Sequence, residues 1–249
     1  MGYTVEICSP SFRSAVAAQS GGADRIELCS ELSLGGVTPS IGLVRQVRNS
    51  VSIAVNVLVR PRSGDFLYSS DEAETVLRDI YECASAGVQG IVVGALTADA
   101  GVDRDMCREW LAAARKAGLS ATFHRAIDCA ADIFSALEDV ASLGFDRVLT
   151  SGGAPTAAEG VETIRKMHDM VSSAAGGRGR VTAIMAGSGI NPGNIREIAL
   201  RTGVEELHLS ASVKCPSGMR RLSGIAEDAP VVHSDPMIVK AAVDALRQE

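Results

Sequence analysis

The chain has no block of lysines and arginines: its basic residues are scattered, and its formal net charge is −6. Phosphate backbones need a concentrated basic face, so no nucleic-acid partner is expected. No apolar run is longer than a strand, which argues against a membrane span. The opening MGYTVEICSP lacks the basic region and the long apolar core of a targeting segment. Met1-Gly2 is followed by Glu6 where a myristoylation signal carries Ser or Thr. A cytoplasmic location is the expectation. The six cysteines (Cys8, Cys29, Cys83, Cys107, Cys129 and Cys215) include no CxxC pair. In a domain of this size they read as thiols, not as a disulfide framework. No H-x-H pattern occurs, and none of the expected strands carries a lysine, which disfavours Schiff-base chemistry.

What is there is a rhythm. A short apolar run, a loop and an amphipathic stretch recur eight times. The runs are Tyr3–Cys8, Arg25–Cys29, Ile53–Arg60, Gly90–Gly94, Leu119–Arg125, Arg147–Ser151, Val181–Gly187 and Glu205–Ser210. Helix-like segments such as Asp71–Ala86 and Asp103–Ala117 lie between them. Strands alternating with helices imply βαβ units and a parallel sheet. Eight units in 249 residues close most naturally into one (β/α)8 TIM-type barrel spanning residues 1–249. A doubly wound open sheet is the alternative. It would carry a glycine-rich first turn, whereas the turn after Cys8 reads SPSFRS.

Boundary residues agree with the barrel. Ser70-Asp71 can cap one helix, and Gly87, Gly118 and Gly144 each follow a helical pattern. Residues 211–235 break the rhythm with Pro, Gly and Arg and no clear period. They are expected to form an irregular loop after the eighth strand, either a lid or oligomer contact at the barrel mouth or a mobile surface loop. Pro236–Arg247 reads as the closing helix.

Strands alternate faces with period two, and in a barrel one face turns inward. If Val5, Ile7, Ile26 and Leu28 meet the helices, then Glu6, Cys8, Glu27 and Cys29 point inside. The same parity sends Asn56, Leu58, Arg60, Thr122, His124, Glu206, His208 and Ser210 inward. Barrel interiors are normally aliphatic, and an unpartnered buried charge costs several kcal/mol. Polar groups gathered at strand C-termini therefore mark a site. A purely structural ion network, with Glu6 or Glu27 paired to Arg25 or Arg60, is the competing reading.

Six segments, RIELCSELSLGGVTPS (25–40), VRPRSGDFLYS (59–69), TFHRAID (122–128), VLTSGG (148–153), IMAGSGI (184–190) and ELHLS (206–210), occur in order. Together they resemble the CutC copper homeostasis family over about residues 3–212. The resemblance implies a TIM-type barrel, a cytoplasmic homo-oligomer and Cu(I) bound through two cysteines, matching Cys8 and Cys29 here. Soft thiolates select Cu(I), and adjacent strands about 4.8 Å apart let two thiols at matched heights converge. His208 is a candidate third ligand, and zinc remains open if it joins. Small buried thiols with no metal are the alternative.

An enzyme-like reading stands beside it. The glycine-rich turn Gly187, Ser188, Gly189 before a helix, together with Ser151 and Gly152, can offer N–H groups to an anion. Arg60 and Arg62 offer guanidinium forks. Glu6 and Glu27 could act as acid and base, and His124 with Asp128 could polarise a carbonyl. This points to a small phosphorylated or carboxylated metabolite, with lyase-, isomerase- or hydrolase-like chemistry. No organic cofactor is predicted.

Overall fold

The structure, a computed structural model, describes residues 2–174, 182–219 and 230–247. Eight parallel strands close into a barrel in chain order. They are β1 (Thr4–Ser9), β2 (Arg25–Leu28), β3 (Ala54–Leu58), β4 (Gly90–Val93), β5 (Ser120–Phe123), β6 (Arg147–Thr150), β7 (Ala183–Gly187) and β8 (Glu206–Leu209). β8 pairs back onto β1, so no edge is left open. Val181, the expected start of the seventh strand, lies outside the described residues.

The helices α1 (Phe12–Ser20), α2 (Ile41–Arg48), α3 (Ser70–Ser85), α4 (Arg104–Lys116), α5 (Ile133–Leu143), α6 (Val161–Ala174), α7 (Ile195–Thr202) and α8 (Pro236–Arg247) follow the strands. Each buries one stripe. On α3, Val76, Ile80 and Cys83 recur at helical spacing and are buried. Its cap is Ser69, one residue before the expected Ser70. From Ser69, Glu72 sits at the third helical position, so side chain and backbone exchange both bonds of a capping box. Gly144 ends α5 at φ 91°, a left-handed geometry that a side chain would strain.

The outer face of the sheet carries the alternating aliphatics. Ile7, Ile26, Leu28, Val57, Ile91 and Phe123 are fully buried against the helices. Truncating one such residue to Ala costs roughly 2–5 kcal/mol. The barrel interior is different. Its lower half holds an ion network: Arg25 donates to Glu6 and Glu206, Arg147 donates to Glu206 at 2.9 Å, and Asn56 donates to Glu6 at 3.4 Å. Above it, Cys8, Cys29, Leu58 and Val92 form a small separate cluster. Polar inward residues thus settle in two layers, paired charges below and thiols above.

The segment expected to be an irregular loop after the eighth strand is partly regular. Ser212–Cys215 (β9) and Val231–Ser234 (β10) pair antiparallel as a two-stranded ribbon, while residues 220–229 lie outside the described residues. Ser234 anchors the ribbon at both ends of its side: its N–H donates to Ser14 Oγ on α1 at 3.0 Å, and its hydroxyl donates to Ser210 O at 2.9 Å. These long-range bonds, invisible to local periodicity, explain why the segment looked featureless. No helix among the described residues is long and apolar enough to cross a membrane.

Candidate functional site

Strand register fixes the heights of the inward groups. Glu6 lies opposite Arg25 on one side and His208 on the other. Cys8 lies opposite Glu27, and Glu27 opposite Asn56. The two Glu-x-Cys patterns share a phase but are offset by two residues, because strands in a closed barrel are staggered. Cys29 therefore stands one step above Cys8, not level with it. The side chains close the gap: Cys8 Sγ and Cys29 Sγ are 3.5 Å apart, both buried and both free thiols.

These thiols border a cavity of about 340 Å³ at the C-terminal mouth of the strands. Glu27, Arg60, His124 and His208 also line it, as do Ser188 and Gly189 from the turn after β7. Among the described residues, Cys8, Glu27 and His208 form a group whose ligand atoms all lie within 4.8 Å of one another. Cys8 is thus shared between a two-sulfur pair and a mixed sulfur, oxygen and nitrogen group. Cys29 is not part of that second group, and neither is His124.

The protonation states follow from neighbours. Burial works against an ionised Glu6, but Arg25 and His208 outweigh it and hold the carboxyl down at about 2. Being ionised, Glu6 accepts from His208 Nδ1 at 2.9 Å. This assigns the Nδ1 proton from the bonding pattern. His208 Nε2 then faces Glu27, 3.4 Å away. Burial opposes a charged His208, yet the bond to Glu6 and the charge of Glu27 raise its pKa above the ordinary value. Glu27 behaves oppositely to Glu6. Desolvation, reinforced by the nearby Glu6 charge, pushes it up to about 7 despite His208 and Arg25. The Cys8 thiol is pushed well above its usual range by its bond to Cys29, by burial and by the surrounding negative charge.

Glu6 does not line the cavity. It sits beside His208 as the group that orients the ring and leaves Nε2 facing Glu27. Arg60 and Arg62, two residues apart, do different work. Arg60 is 6% exposed, lines the cavity and donates to the carbonyls of Gly36 and Gly64 at 2.9 and 2.6 Å. Arg62 turns away and clamps its own loop through Glu72 at 2.5 Å, Asp65 at 2.9 Å and the Leu67 carbonyl at 2.8 Å.

Asp128 is spent internally. Its carboxylate accepts from Thr150 Oγ1 and from the N–H groups of Ser151 and Gly153, and it pairs with Arg125 at 2.8 Å. Gly152 N–H bonds Thr150 Oγ1 at 2.8 Å. The donors of the turn after β6, Ser151 and Gly152 included, are therefore already engaged by the protein itself. Gly187 leaves room for its neighbours, since a Cβ there would stand 2.6 Å from Leu149 and 3.4 Å from His208. Ser188 holds a left-handed φ of 79°, and its hydroxyl donates to Pro155 O.

Sequence parity did not single out Arg125, which also lines the cavity. Strict alternation sends it outward from β5, but a 3-10 turn at Arg125–Cys129 begins there and redirects it. The other thiols are elsewhere. Cys83 and Cys107 face the helix-side core, where burial pushes each up to about 12. Cys129 is exposed. Cys215 lies on β9, its sulfur 3.7 Å from His233 Nε2.

Comparison with known proteins bears on this site. The family model described as the CutC family matches residues 3–213. The copper homeostasis protein cutC homolog of Mus musculus is 43% identical over 235 residues, covering 94% of this chain and 83% of the relative. A CutC family protein of Vibrio vulnificus is 44% identical over 219 residues, covering 88% and 85%. Among solved structures, a copper homeostasis CutC from Streptococcus agalactiae aligns with a TM-score of 0.76 at 27% identity, over 84% of this chain and 98% of that one. Phosphoribosyl anthranilate isomerase from Thermotoga maritima aligns over 98% of both chains with a TM-score of 0.59, at 12% identity. That likeness concerns the fold alone.

Proposed function

Because this chain belongs to the CutC family, we propose that it serves copper homeostasis by holding Cu(I) between Cys8 and Cys29 at the barrel mouth. The observation that carries this reading is the buried, unbridged thiol pair, 3.5 Å apart and bordering the cavity. Two sulfurs on one ion, with bonds of about 2.3 Å, stand roughly 3.7 Å apart at a tetrahedral angle and about 4.6 Å apart when collinear. A small opening of the pair accommodates the ion. Two thiolates are a soft donor set, and soft donors select Cu(I) over harder divalent ions.

Binding must displace one proton from each thiol, and the Cys8 thiol is held firmly in its protonated form. Glu27 lies level with Cys8 on the next strand and changes charge near neutral pH, so it receives the Cys8 proton, while the Cys29 proton leaves to solvent through the cavity mouth. His208 adds a third donor through Nε2, because Glu6 holds its Nδ1 proton. The group of Cys8, Glu27 and His208 also supports a second reading, a Zn²⁺ site with one sulfur, one oxygen and one nitrogen donor.

Anaerobic Cu(I) titration against a competing chelator tests the proposal. The wild-type chain is expected to take one ion. Cys8→Ser and Cys29→Ser are each expected to weaken binding by about 100-fold or more, as loss of a soft ligand implies. Unchanged stoichiometry and affinity in the double variant would rule the pair out. For Zn²⁺ the ranking separates the sets: His208→Gln lowers affinity in the mixed site, while Cys29→Ser leaves it intact.

A further inference from the structure

The cavity is far larger than an ion. Its volume of about 340 Å³ lies within the range of small-molecule sites. Its thiol side is accounted for above. Arg60, His124 and Phe66 also line the cavity, and the metal reading uses none of them. We propose that these three residues form a carboxylate subsite, in which Arg60, backed by His124, receives the head of a small monocarboxylate whose uncharged body lies along Leu32, Leu58 and Leu149. The inference does not rest on metal binding.

Arg60 carries the argument. It is a buried guanidinium, and among the described residues no carboxylate lies within ion-pair distance of it. Two carbonyls, the nearby Tyr68 hydroxyl and the face of Phe66, 4.8 Å from Cζ to the ring centre, are its company, and its Nε has no hydrogen-bond partner. Arg25, also a deeply buried guanidinium, is met by both Glu6 and Glu206. A buried cation left without an anion is costly to keep, and a bidentate carboxylate is the natural complement of its fork.

His124 points to the same class of ligand. It is 5% exposed and lines the cavity. Its Nδ1 accepts from Ala126 N–H at 3.2 Å, so its proton sits on Nε2, and Nε2 has no partner. Burial and the Arg60 charge push the ring down to about 3, so it is a neutral donor at physiological pH. Phe66 touches both groups: its ring centre lies 4.9 Å from that of His124. One phenyl ring therefore holds an unmet cation and an unmet N–H donor in the same cavity.

Charge counting selects a monoanion. Arg125, the other guanidinium on the cavity among the described residues, is already neutralised by Asp128. Among the described residues one positive charge is left beside Phe66, and Glu27 lines the same cavity. A phosphate dianion would exceed that charge and meet repulsion from Glu27. The leucines leave space for a short aliphatic or keto body and offer it no polar partner.

The test uses the metal-free, chelator-treated chain with acetate, propionate, butyrate, pyruvate and lactate at millimolar concentration. Butyramide and inorganic phosphate are the controls. At least one carboxylate is expected to raise the melting temperature saturably and to move the Nε2 resonances of His124 in ¹⁵N-histidine NMR, with neither control doing so. Arg60→Gln is expected to weaken that binding by about 30-fold or more, as loss of a buried charge pair implies. His124→Gln, whose amide can replace the donor, is expected to lose less. The inference is overturned if none of the five carboxylates moves either signal, if phosphate or the amide binds equally well, or if folded Arg60→Gln binds like wild type. Should Arg60→Gln not fold, the wild-type NMR series decides alone. None of these results touches the Cu(I) titration, so the two proposals fail separately.

Discussion

Replacing Glu27 by Gln should stabilise the metal-free protein at alkaline pH while damaging its metal site. Glu27 is 5% exposed and is pushed from 4.5 up to about 7, chiefly by desolvation. Between those values the folded chain holds a proton at this group that the unfolded chain has released. Stability therefore falls as pH rises through that window, and above pH 7 the full penalty applies. The rise from 4.5 to about 7 corresponds to about 3 kcal/mol. The lost attraction to His208, 3.4 Å away, returns part of it. A net gain of about 1–3 kcal/mol remains, equivalent to roughly 2–12 °C in melting temperature for a domain of this size. Thermal or urea denaturation of chelator-treated wild type and Glu27→Gln at pH 4.5 and pH 8 measures it. The curves should coincide at the lower pH and separate at the higher. A variant that is no more stable at pH 8, or equally stabilised at both values, would refute the assignment of Glu27 as a destabilising buried carboxylate.

Two further outcomes follow from the barrel interior. Arg25→Met should cost about 3–5 kcal/mol in denaturation midpoint experiments, because Glu6 and Glu206 are left buried without their shared cation. Replacing all three groups by apolar residues should recover much of that loss. Acid should unfold the protein by two linked routes. Glu6, held down at about 2, contributes stability that is complete above its ordinary 4.5 and is lost as pH falls toward 2. His124, held neutral with its pKa near 3, contributes stability that is complete above 6.5 and declines as pH falls below that value. His124→Gln should flatten the pH dependence between 3 and 6.5, as read from urea midpoints across that range, and an unchanged slope would show that His124 is already charged in the folded chain.

Much of this site was legible before any coordinates. Period-two alternation names Glu6, Cys8, Glu27, Cys29, Arg60, His124 and His208 as inward residues, because a strand has only two faces and the aliphatics claim one of them. All seven are buried or nearly so. Alternation is silent about height. It treats the two Glu-x-Cys patterns as level, whereas register sets Cys8 beside Glu27. It also makes Arg60 and Arg62 look equivalent, although a turn separates them and gives Arg62 to Glu72. Asp128 reads, with His124, as a group that could polarise a carbonyl, because a carboxylate near a histidine suits that role. The folded chain gives it instead to the amides of Ser151 and Gly153, a partnership between two loops that no local pattern encodes.

The amino-acid order by itself determined the eightfold strand and helix rhythm and the identity of the inward polar set, since both depend only on periodicity along one segment. Tertiary structure decided which of those groups meet. Barrel closure brings β8 beside β1 and so sets His208 between Glu6 and Glu27. Stagger between strands brings Cys29 over Cys8, and loop packing leaves Arg60, among the described residues, without an acid at ion-pair distance, while Arg25 is met by Glu6 and Glu206. The physical reason is one of range. Side-chain direction is set within a residue or two, while charge pairing and ligand geometry depend on distances between segments up to about two hundred positions apart, as between Glu6 and His208.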